Sequence, residues 1–383
     1  MEEGSNKGWI WGIVVLLVVV LGGWWVLGQK TPGASADTIK IGFIGALTGD
    51  AADYGEPQKN VLVLAAKDIN DHGGIAGKQV EIIYEDAKCK GPDGANAASK
   101  LVNVDKVQVI LGGSCSGETL AAVPVAEAGK VAIITGSATS PALINKSPYF
   151  FRDYPNDSSQ GVVLADQAYT KEGWKKVAVI QEQTDYALGI FQAFEARYKQ
   201  LGGTIVKEEF ASNISDFRSV LAKLKADKPD AVLVSVQTAA SAQRIFDQMQ
   251  KLGWKPKLML NDVTIGDPAT LTKFKDFLEG DIGANFNLND TPKFVALRDA
   301  YKAAYGKDMG YPTYSTAVYD SLYLIKEAIE AVGYDGTKIA AWGRSSVKNW
   351  EGASGSITIG PDGERQSGDS IFQVKNGTAV LVQ

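Results

Sequence analysis

Short apolar runs alternate with amphipathic segments along the first half of the chain. The runs TIKIGFIGAL, QVEIIYED, VQVILGGS and VAIITG predict buried strands, because they are short and rich in β-branched residues. The segments 57–71 and 93–104 carry apolar residues at helical spacing, and further helices are expected in GETLAAVPVAEAG and SPALI. Strands and helices that alternate in this way indicate right-handed crossovers and a parallel sheet.

The same order of elements begins again at Lys175. The runs KKVAVIQEQ, GTIVKEEF, DAVLVSVQ and KPKLMLND predict strands, and the segments 189–201, 216–225, 241–252 and 269–278 predict helices. This repeat predicts an α/β fold with two similar Rossmann-like lobes, each built on a parallel sheet. Two more helices joined by DMGYPTYS are expected in residues 291–332, and short strands in residues 355–383.

The later segments are expected to return to the two lobes in turn. We assign residues 38–157 and 286–350 to lobe 1, and residues 158–285 and 351–383 to lobe 2. Residues 1–37 form an N-terminal anchor or signal segment with a linker. The chain then crosses between the lobes several times, and these crossings would form a hinge.

The N-terminal segment is apolar enough to enter a membrane. From Trp9 to Leu27 no residue carries a charge, and a transmembrane helix of this length would just span the bilayer hydrocarbon. The alternative is a cleaved signal peptide, because Ala34-Ser35-Ala36 fits the small-residue cleavage pattern. The body of the protein then lies at the extracytoplasmic face of the cell membrane, or in the periplasm after cleavage near Ala36. No cysteine lies near residue 30, which excludes a lipid-modified cysteine anchor.

Composition excludes several classes of function. The 383 residues with 45% hydrophobic content are enough for two lobes, and the net charge of -5 has no basic block that would attract nucleic acid. The single histidine, His72, leaves no Ser-His-Asp triad and no multi-histidine metal site. The GFIGALTG segment lacks the G-x-G-x-x-G spacing of a dinucleotide turn. We therefore expect no enzyme activity, no cofactor and no metal.

Small hydroxyl residues follow two neighbouring strands in lobe 1. Ser114 and Ser116 follow VQVILGG, and Ser137 and Thr139 follow VAIITG. Ligands of parallel sheets bind beyond the carboxyl ends of strands, and helix N-termini there offer unpaired N–H groups and partial positive charge. These residues are therefore placed to bind a small anion such as a carboxylate, although helix capping alone would also explain them.

Strand ends of lobe 2 supply aromatic, amide and acidic side chains instead. Tyr186, Gln237 and Asp262 follow three of its predicted strands, and Tyr54 follows the first strand of lobe 1. Hydroxyls in one lobe and an acid in the other suit a zwitterion, with its carboxylate on lobe 1 and its ammonium on Asp262. Asp262 could equally be a helix cap, and Tyr186 a core residue.

The only two cysteines, Cys89 and Cys115, lie near the ends of neighbouring predicted strands. In an oxidising compartment such a pair is most simply a disulfide. Two free core thiols remain an alternative. Metal binding is a weaker one, since no histidine or third cysteine lies nearby.

Several segments together resemble the leucine/isoleucine/valine-binding protein family, the type I periplasmic solute-binding proteins of ABC transporters. The resemblance covers residues 38–383 and is carried by the segments IKIGFIGALTGDAADYG, AAKDINDHGGIAGKQVEIIYEDAKC, GGSCSG, ITGSATSPAL, FRDYPNDSSQG and TDYALG. It implies a two-lobe clamshell that closes on an amino acid and delivers it to a membrane permease.

The resemblance also implies roles for residues. Ser116 and Thr139 would bind the ligand carboxylate, with backbone at Ser137 and Ala138 contributing. Tyr54 and Tyr186 would line the pocket, Asp262 would take the ammonium, and Cys89 would pair with Cys115. Two departures alter pocket size and polarity: Asp262 stands where branched-chain binders tend to have Glu, and Gln237 where they have an aromatic residue.

We therefore expect a monomeric solute-binding protein whose partners are a small amino acid, ABC permease subunits and, through its N-terminal helix, the membrane. One alternative is a membrane-tethered sensory receptor in which closure signals to another protein. A Rossmann-type enzyme is a second alternative, which the glycine spacing disfavours. An amide, a urea-like compound or an aromatic acid could also replace the amino acid as ligand.

Overall fold

The apolar runs of the first half form a five-stranded parallel sheet in the computed structural model, which describes residues 38–382. Its strands lie in the spatial order β2-β1-β3-β4-β5: β1 (Ile39–Gly45), β2 (Val80–Asp86), β3 (Val109–Gly112), β4 (Ala132–Thr135) and β5 (Phe150–Arg152). Three helices connect the first four strands: α1 (Ala52–Asp71), α2 (Gly91–Asn103) and α3 (Ser116–Ala128). Strands β3 and β4 are buried at every position, as expected for a parallel sheet with both faces covered.

The second half builds a similar sheet. Its parallel strands are β6 (Lys176–Glu182), β7 (Thr204–Phe210), β8 (Ala231–Ser235), β9 (Lys257–Leu260) and β10 (Ile282–Phe286), in the order β7-β6-β8-β9-β10. The accompanying helices are α4 (Asp157–Asp166), α5 (Asp185–Gln200), α6 (Arg218–Ala226), α7 (Ala239–Lys251), α8 (Asp262–Ile265), α9 (Pro268–Lys273) and α10 (Lys275–Leu278). The two lobes therefore share one strand order, which confirms the predicted α/β repeat.

The last part of the chain completes both lobes. Helices α11 (Pro292–Tyr305), α12 (Pro312–Val332) and α13 (Gly336–Ser345) pack on lobe 1, beside the two-stranded sheet of β11 (Trp350–Gly352) and β12 (Gly355–Ile357). The antiparallel hairpin of β13 (Asp369–Lys375) and β14 (Thr378–Leu381) extends the second sheet beyond β10.

Three expectations need correction. SPALI forms only a three-residue 3-10 helix, Pro141–Leu143. The helix begins at Pro141 and ends at Ile144, because the backbone of Ile144 is extended. The single helix expected over 269–278 is split into α9 and α10 at Phe274, whose backbone leaves the helical region. The linker DMGYPTYS is shorter than expected, since Pro312 begins α12.

The predicted boundary between the lobes at residue 350 also disagrees with where the following residues pack. Ala353, Ile357 and Ile359 are fully buried in the core of lobe 1, together with residues of β1, β3 and β4. Only the hairpin from Asp369 onward joins the second sheet. We therefore propose that the last crossing lies between Arg365 and Asp369, and we retain the other boundaries as predictions.

Buried ion pairs hold the crossings between the lobes together. Arg365 lies near the last crossing and donates to Asp153, in the first crossing, at 3.2 Å. Its guanidinium also lies 4.7 Å from the ring centre of Phe286, in the second crossing. Arg152 and Glu364 form a second pair at 2.8 Å. Arg152, Asp153 and Arg365 are almost inaccessible to solvent, and breaking such a pair would leave an uncompensated buried charge. The three crossings are thus joined to one another by buried contacts.

A disulfide joins Cys89 to Cys115, as predicted, and links the loop after β2 to the start of α3. Beside it, the fully buried Glu118 carboxylate accepts the N–H of Cys115 at 2.9 Å and that of Cys89 at 3.1 Å. Burial raises the pKa of Glu118 to about 7, although these N–H donors oppose the rise.

Within residues 38–382, no helix combines the length and apolar character needed to cross a bilayer. The segment from Trp9 to Leu27, where an anchor is expected, lies outside the described residues.

The raised pKa of Glu118 predicts a pH-dependent stability. Because the folded protein holds this proton more tightly than the unfolded chain, the free energy of unfolding is highest below the ordinary carboxyl pKa and falls as the pH rises to about 7. In Glu118→Gln this fall should shrink by on the order of 2–3 kcal/mol, measured by denaturant unfolding at pH 4.5 and pH 7.5. Other buried carboxyls with raised pKa values should supply the remaining slope, among them Asp281 and Asp369, whose pKa values burial raises to about 7.

The matched control is Glu127→Gln, an exposed glutamate on the same helix, which should keep the slope of the unchanged protein. An unaltered slope in Glu118→Gln would contradict the assignment of a shifted proton to this side chain.

Candidate functional site

The hydroxyl side of the site lies at the carboxyl ends of β3 and β4. Ser114 donates to the side-chain oxygen of Gln58 at 2.6 Å, and the Gln58 amide donates to Ser137 Oγ at 3.0 Å. Ser137 in turn donates to the carbonyl of Ser114 at 2.9 Å. This closed ring of hydrogen bonds fixes the two serines against each other, so they shape the site rather than offering free hydroxyl groups.

Ser116 and Thr139 lie outside this ring of hydrogen bonds. Ser116 begins α3, and its hydroxyl oxygen accepts the N–H of Ser140 at 3.1 Å, which leaves its own proton available. The Thr139 hydroxyl is buried and lies beside the Asp157 carboxyl, whose pKa it lowers. These two hydroxyl groups are the candidate donors at this edge of lobe 1.

The backbone around Thr139 is held from behind by Arg152. Its guanidinium donates to the carbonyls of Ala138 and Ser140, both at 3.1 Å, and to Glu364 at 2.8 Å. The N–H groups of Ser137 and Ala138 donate to the Thr135 hydroxyl at 3.2 and 3.1 Å. A backbone contribution of Ser137 and Ala138 to ligand binding therefore stays a prediction, since both N–H groups are engaged here.

The acidic side of the site centres on Asp262, the first residue of α8 after β9. Its two carboxylate oxygens each accept a tyrosine hydroxyl, one from Tyr186 of α5 and one from Tyr314 of α12. Its backbone N–H donates to the Gln160 side chain at 3.0 Å. Because α5 belongs to lobe 2 and α12 packs on lobe 1, the carboxylate joins the lobes.

Burial sets the electrostatics around Asp262. It raises the pKa of this carboxyl, against the lowering effect of the tyrosine hydroxyls. Burial also raises the pKa of Asp157 well above its ordinary value, and the charge of Asp262 adds to the rise. The Thr139 hydroxyl opposes this rise, and the Asp157 N–H donates to the carbonyl of Thr139 at 2.9 Å.

Between these two sides lies a small inner cavity. It is lined by Tyr54, Ser114, Cys115, Ser116, Ser137, Tyr186, Gln237, Val263 and Tyr314. Its volume of about 10 Å³ is close to the space that one water molecule needs, about 10–15 Å³. Tyr54 closes it from lobe 1 by donating to the carbonyl of Gln237 in lobe 2. A ligand larger than water therefore requires the lobes to separate first.

The structure brings the predicted residues to one place. Six of them line the inner cavity, Asp262 is bonded to two lining tyrosines, and Ala138 and Thr139 continue the chain from Ser137. The expected helix start behind Thr139 is wrong, since this residue lies in a loop before the 3-10 turn. Asp262 also begins a helix, but its side chain faces the tyrosines.

Sequence reasoning missed Tyr314 and Asp157 as members of the site. Tyr314 lies in DMGYPTYS, which was assigned to a linker, although Pro312 is a favourable first residue of a helix. Asp157 follows Asn156, whose side chain caps α4, so the dipeptide was compatible with a simple helix start. Within residues 38–382, no group of three or more His, Cys, Asp or Glu side chains is arranged to hold a metal ion.

Comparison with known proteins agrees with this architecture. A curated protein from Pseudomonas aeruginosa named "Amino acid binding protein" is 29% identical over 327 residues, which cover 84% of this chain and 85% of that protein. The crystal structure of the leucine binding protein LivK from Thermotoga maritima has a TM-score of 0.82 and 27% identity, and covers 90% of this chain and 98% of its own.

A second solved structure is the branched-chain amino acid transporter substrate binding protein LivJ from Streptococcus pneumoniae, in complex with isoleucine. It has a TM-score of 0.80 and 28% identity, and covers 90% of this chain and 99% of its own. The family model described as "Periplasmic binding protein" matches residues 38–379, which is nearly everything the structure describes. The chain therefore belongs to the periplasmic binding protein family.

Proposed function

We propose that this protein captures a small amino acid between its two lobes and delivers it to the permease of an ABC transporter. The observation that carries the proposal is the buried Asp262 carboxylate, which accepts hydroxyl groups from both lobes. The printed names of its relatives, an amino acid binding protein and a branched-chain amino acid transporter component, support the same function.

The ammonium group of the ligand binds Asp262. A carboxylate removed from water requires a hydrogen-bonded or charged partner, and an ammonium group supplies both. Tyr186 and Tyr314 take this role in the structure and would give way to the ligand or share the carboxylate with it.

The ligand carboxylate binds at the opposite wall. Ser116 begins α3, and the partial positive charge of that helix end favours an anion; the Thr139 hydroxyl follows the neighbouring strand β4. Arg152 keeps the carbonyls on either side of Thr139 turned away from the ligand, towards its own guanidinium. This arrangement avoids repulsion between those carbonyl dipoles and the carboxylate.

Binding is coupled to movement of the lobes. Hydroxyl contacts cross the cleft, among them those of Tyr54 with Gln237 and of Tyr314 with Asp262, and both must open before a ligand enters. Because ligand contacts from both lobes exist together only in the closed arrangement, the ligand shifts the equilibrium towards closure.

We infer that the protein works outside the cytoplasm as a monomer, with ABC permease subunits as its partner. The disulfide between Cys89 and Cys115 supports an oxidising compartment. An uncleaved helix from Trp9 to Leu27 would tether it to the membrane, and mass determination of the mature protein tests whether that segment is retained.

Two substitutions test the pocket. Thr139→Ala removes a donor to the ligand carboxylate, and Asp262→Ala removes the partner of its ammonium. Each should weaken amino acid binding by more than about 1 kcal/mol, because each leaves a buried charge without a partner. Isothermal titration calorimetry with a panel of amino acids measures the change.

Matched controls are Thr272→Ala and Asp299→Ala, exposed residues of α9 and α11 that should leave affinity unchanged. Equal affinity in all four variants would show that the pocket is misplaced. Failure of the unchanged protein to bind any amino acid in the panel would refute the proposed function itself.

Arg152 is expected to act as a positioning residue. Arg152→Lys cannot hold two carbonyls and Glu364 together, because an ammonium is a compact charge without the planar fork of a guanidinium. Affinity for the amino acid should fall about tenfold, whereas affinity for its primary amide, which lacks the carboxylate, should fall less.

The control is Arg344→Lys. Like Arg152, Arg344 donates to backbone carbonyls, in its case those of Ser147, Phe150 and Pro361. This variant should lose thermal stability without changing the ratio of the two affinities. An equal ratio in Arg152→Lys and Arg344→Lys would reduce Arg152 to a structural role.

A further inference from the structure

Glu118 places a carboxylate inside the start of α3, the helix end at which we propose that the ligand carboxylate binds. Its oxygens accept the N–H of Cys115 at 2.9 Å and that of Cys89 at 3.1 Å, and the N–H of Ser114 also stabilises its charge. Cys115 directly precedes Ser116, the first residue of the helix. The charge of Glu118 is therefore held at the same helix end as the proposed carboxylate site.

Close packing fixes Glu118 in this position. The side chain is fully buried, and a Cβ atom added to Gly113 would lie 2.5 Å from its Oε1 atom. The loop before α3 thus fits around the carboxylate because residue 113 is a glycine. On the other side, a Cβ atom added to Gly94 of α2 would lie 2.5 Å from the carbonyl oxygen of Glu118. The carboxylate therefore stays at the helix start when a ligand binds.

The charges around Glu118 do not neutralise it. The charge of Asp86, at the end of β2, raises the pKa of Glu118 beyond the effect of burial. Other charged residues on the elements around the helix start are reached by solvent, which screens them; they are Lys88 and Lys90 beside Cys89, Asp93 on α2, and Asp185 of lobe 2, whose carboxylate lies near Gly117. Burial is the largest influence, and the pKa of Glu118 is about 7.

A ligand carboxylate at this helix start brings a second negative charge close to Glu118. Like charges repel most strongly where water is excluded, so two neighbouring buried carboxylates do not both ionise readily. The α-carboxylate of an amino acid stays ionised near neutral pH, because its pKa lies far below 7. The proton that relieves the repulsion therefore goes to Glu118.

We propose that Glu118 makes ligand affinity depend on pH, because the protein binds the amino acid tightly when Glu118 is protonated and weakly when it is ionised. The inference rests on the proposed function and adds a means of regulation to the same site. Binding at neutral pH takes up a proton from solution, and the Glu118 carboxyl group receives it. Acidification thus favours loading of the protein, and alkaline conditions favour release.

Three further buried acids near the cleft also exchange protons when a ligand binds. Burial raises the pKa of Asp157, Asp262 and Asp369. The ligand ammonium shifts these pKa values downwards and the ligand carboxylate shifts them upwards. Their contributions are common to the unchanged protein and to Glu118→Gln, so the difference between the two proteins belongs to Glu118.

Isothermal titration calorimetry of the full protein, with the tightest-binding member of a panel of L-amino acids, tests the proposal. The ratio of affinity at pH 6 to affinity at pH 8 should be at least about fivefold larger in the unchanged protein than in Glu118→Gln. At pH 8 Glu118→Gln should also bind more tightly than the unchanged protein, because it lacks the opposing charge. A residue that only supported the helix would weaken binding when replaced.

The control variant is Glu127→Gln, an exposed glutamate of α3, which should keep the original pH profile. A second measurement needs no variant: calorimetry at pH 7 in PIPES and in imidazole, two buffers of different ionisation enthalpy, counts the protons that binding takes up. Uptake should be greater for the amino acid than for its amino alcohol, which keeps the ammonium and lacks the carboxylate.

The outcomes separate this inference from the proposed function. The same pH profile in Glu118→Gln and in the unchanged protein, or equal proton uptake with the two ligands, would overturn the role of Glu118 and leave the proposed function intact. Failure of every amino acid in the panel to bind at either pH would overturn both.

Discussion

The burial of the Asp262 carboxylate between two lobes is the constraint on which the site depends. A charged group removed from water is costly unless its oxygens are satisfied. Here one oxygen accepts from Tyr186 of lobe 2 and the other from Tyr314, which is carried by a helix packed on lobe 1. The carboxylate is therefore fully satisfied only when the lobes lie together. This requirement couples the chemistry of one side chain to the position of a whole lobe.

The crossings between the lobes have the opposite character, since their charged groups are paired with one another. Arg365 joins the first crossing through Asp153 and lies over Phe286 at the second, while Arg152 joins Glu364 to the loop of Thr139. These groups are buried and mutually compensated, so a change at the crossings would be far more costly than a change at the tyrosine contacts. In the proposed opening, the lobes separate at the cleft, where hydroxyl groups can exchange a protein partner for water.

Elements with a strong local pattern could be predicted from the sequence, and contacts distant along the chain could not. Runs such as VQVILGG are apolar, short and followed by small polar residues, so both the strand β3 and the start of α3 were predictable. The helix predicted after Thr139 does not form, because only three residues of SPALI, Pro141–Leu143, are helical. The pairing of Arg152 with Glu364 spans 212 positions and leaves no local signal. Tyr314 was not predicted, because it lies in a segment whose Gly310 and Pro312 are typical of a linker.

The direct test of the account is a crystal structure of the protein grown with a bound amino acid. We expect the ammonium group within hydrogen-bond distance of the Asp262 carboxylate, and the ligand carboxylate against the hydroxyl groups of Ser116 and Thr139. A ligand bound in the reverse orientation, or away from the cleft that these residues share, would contradict the account.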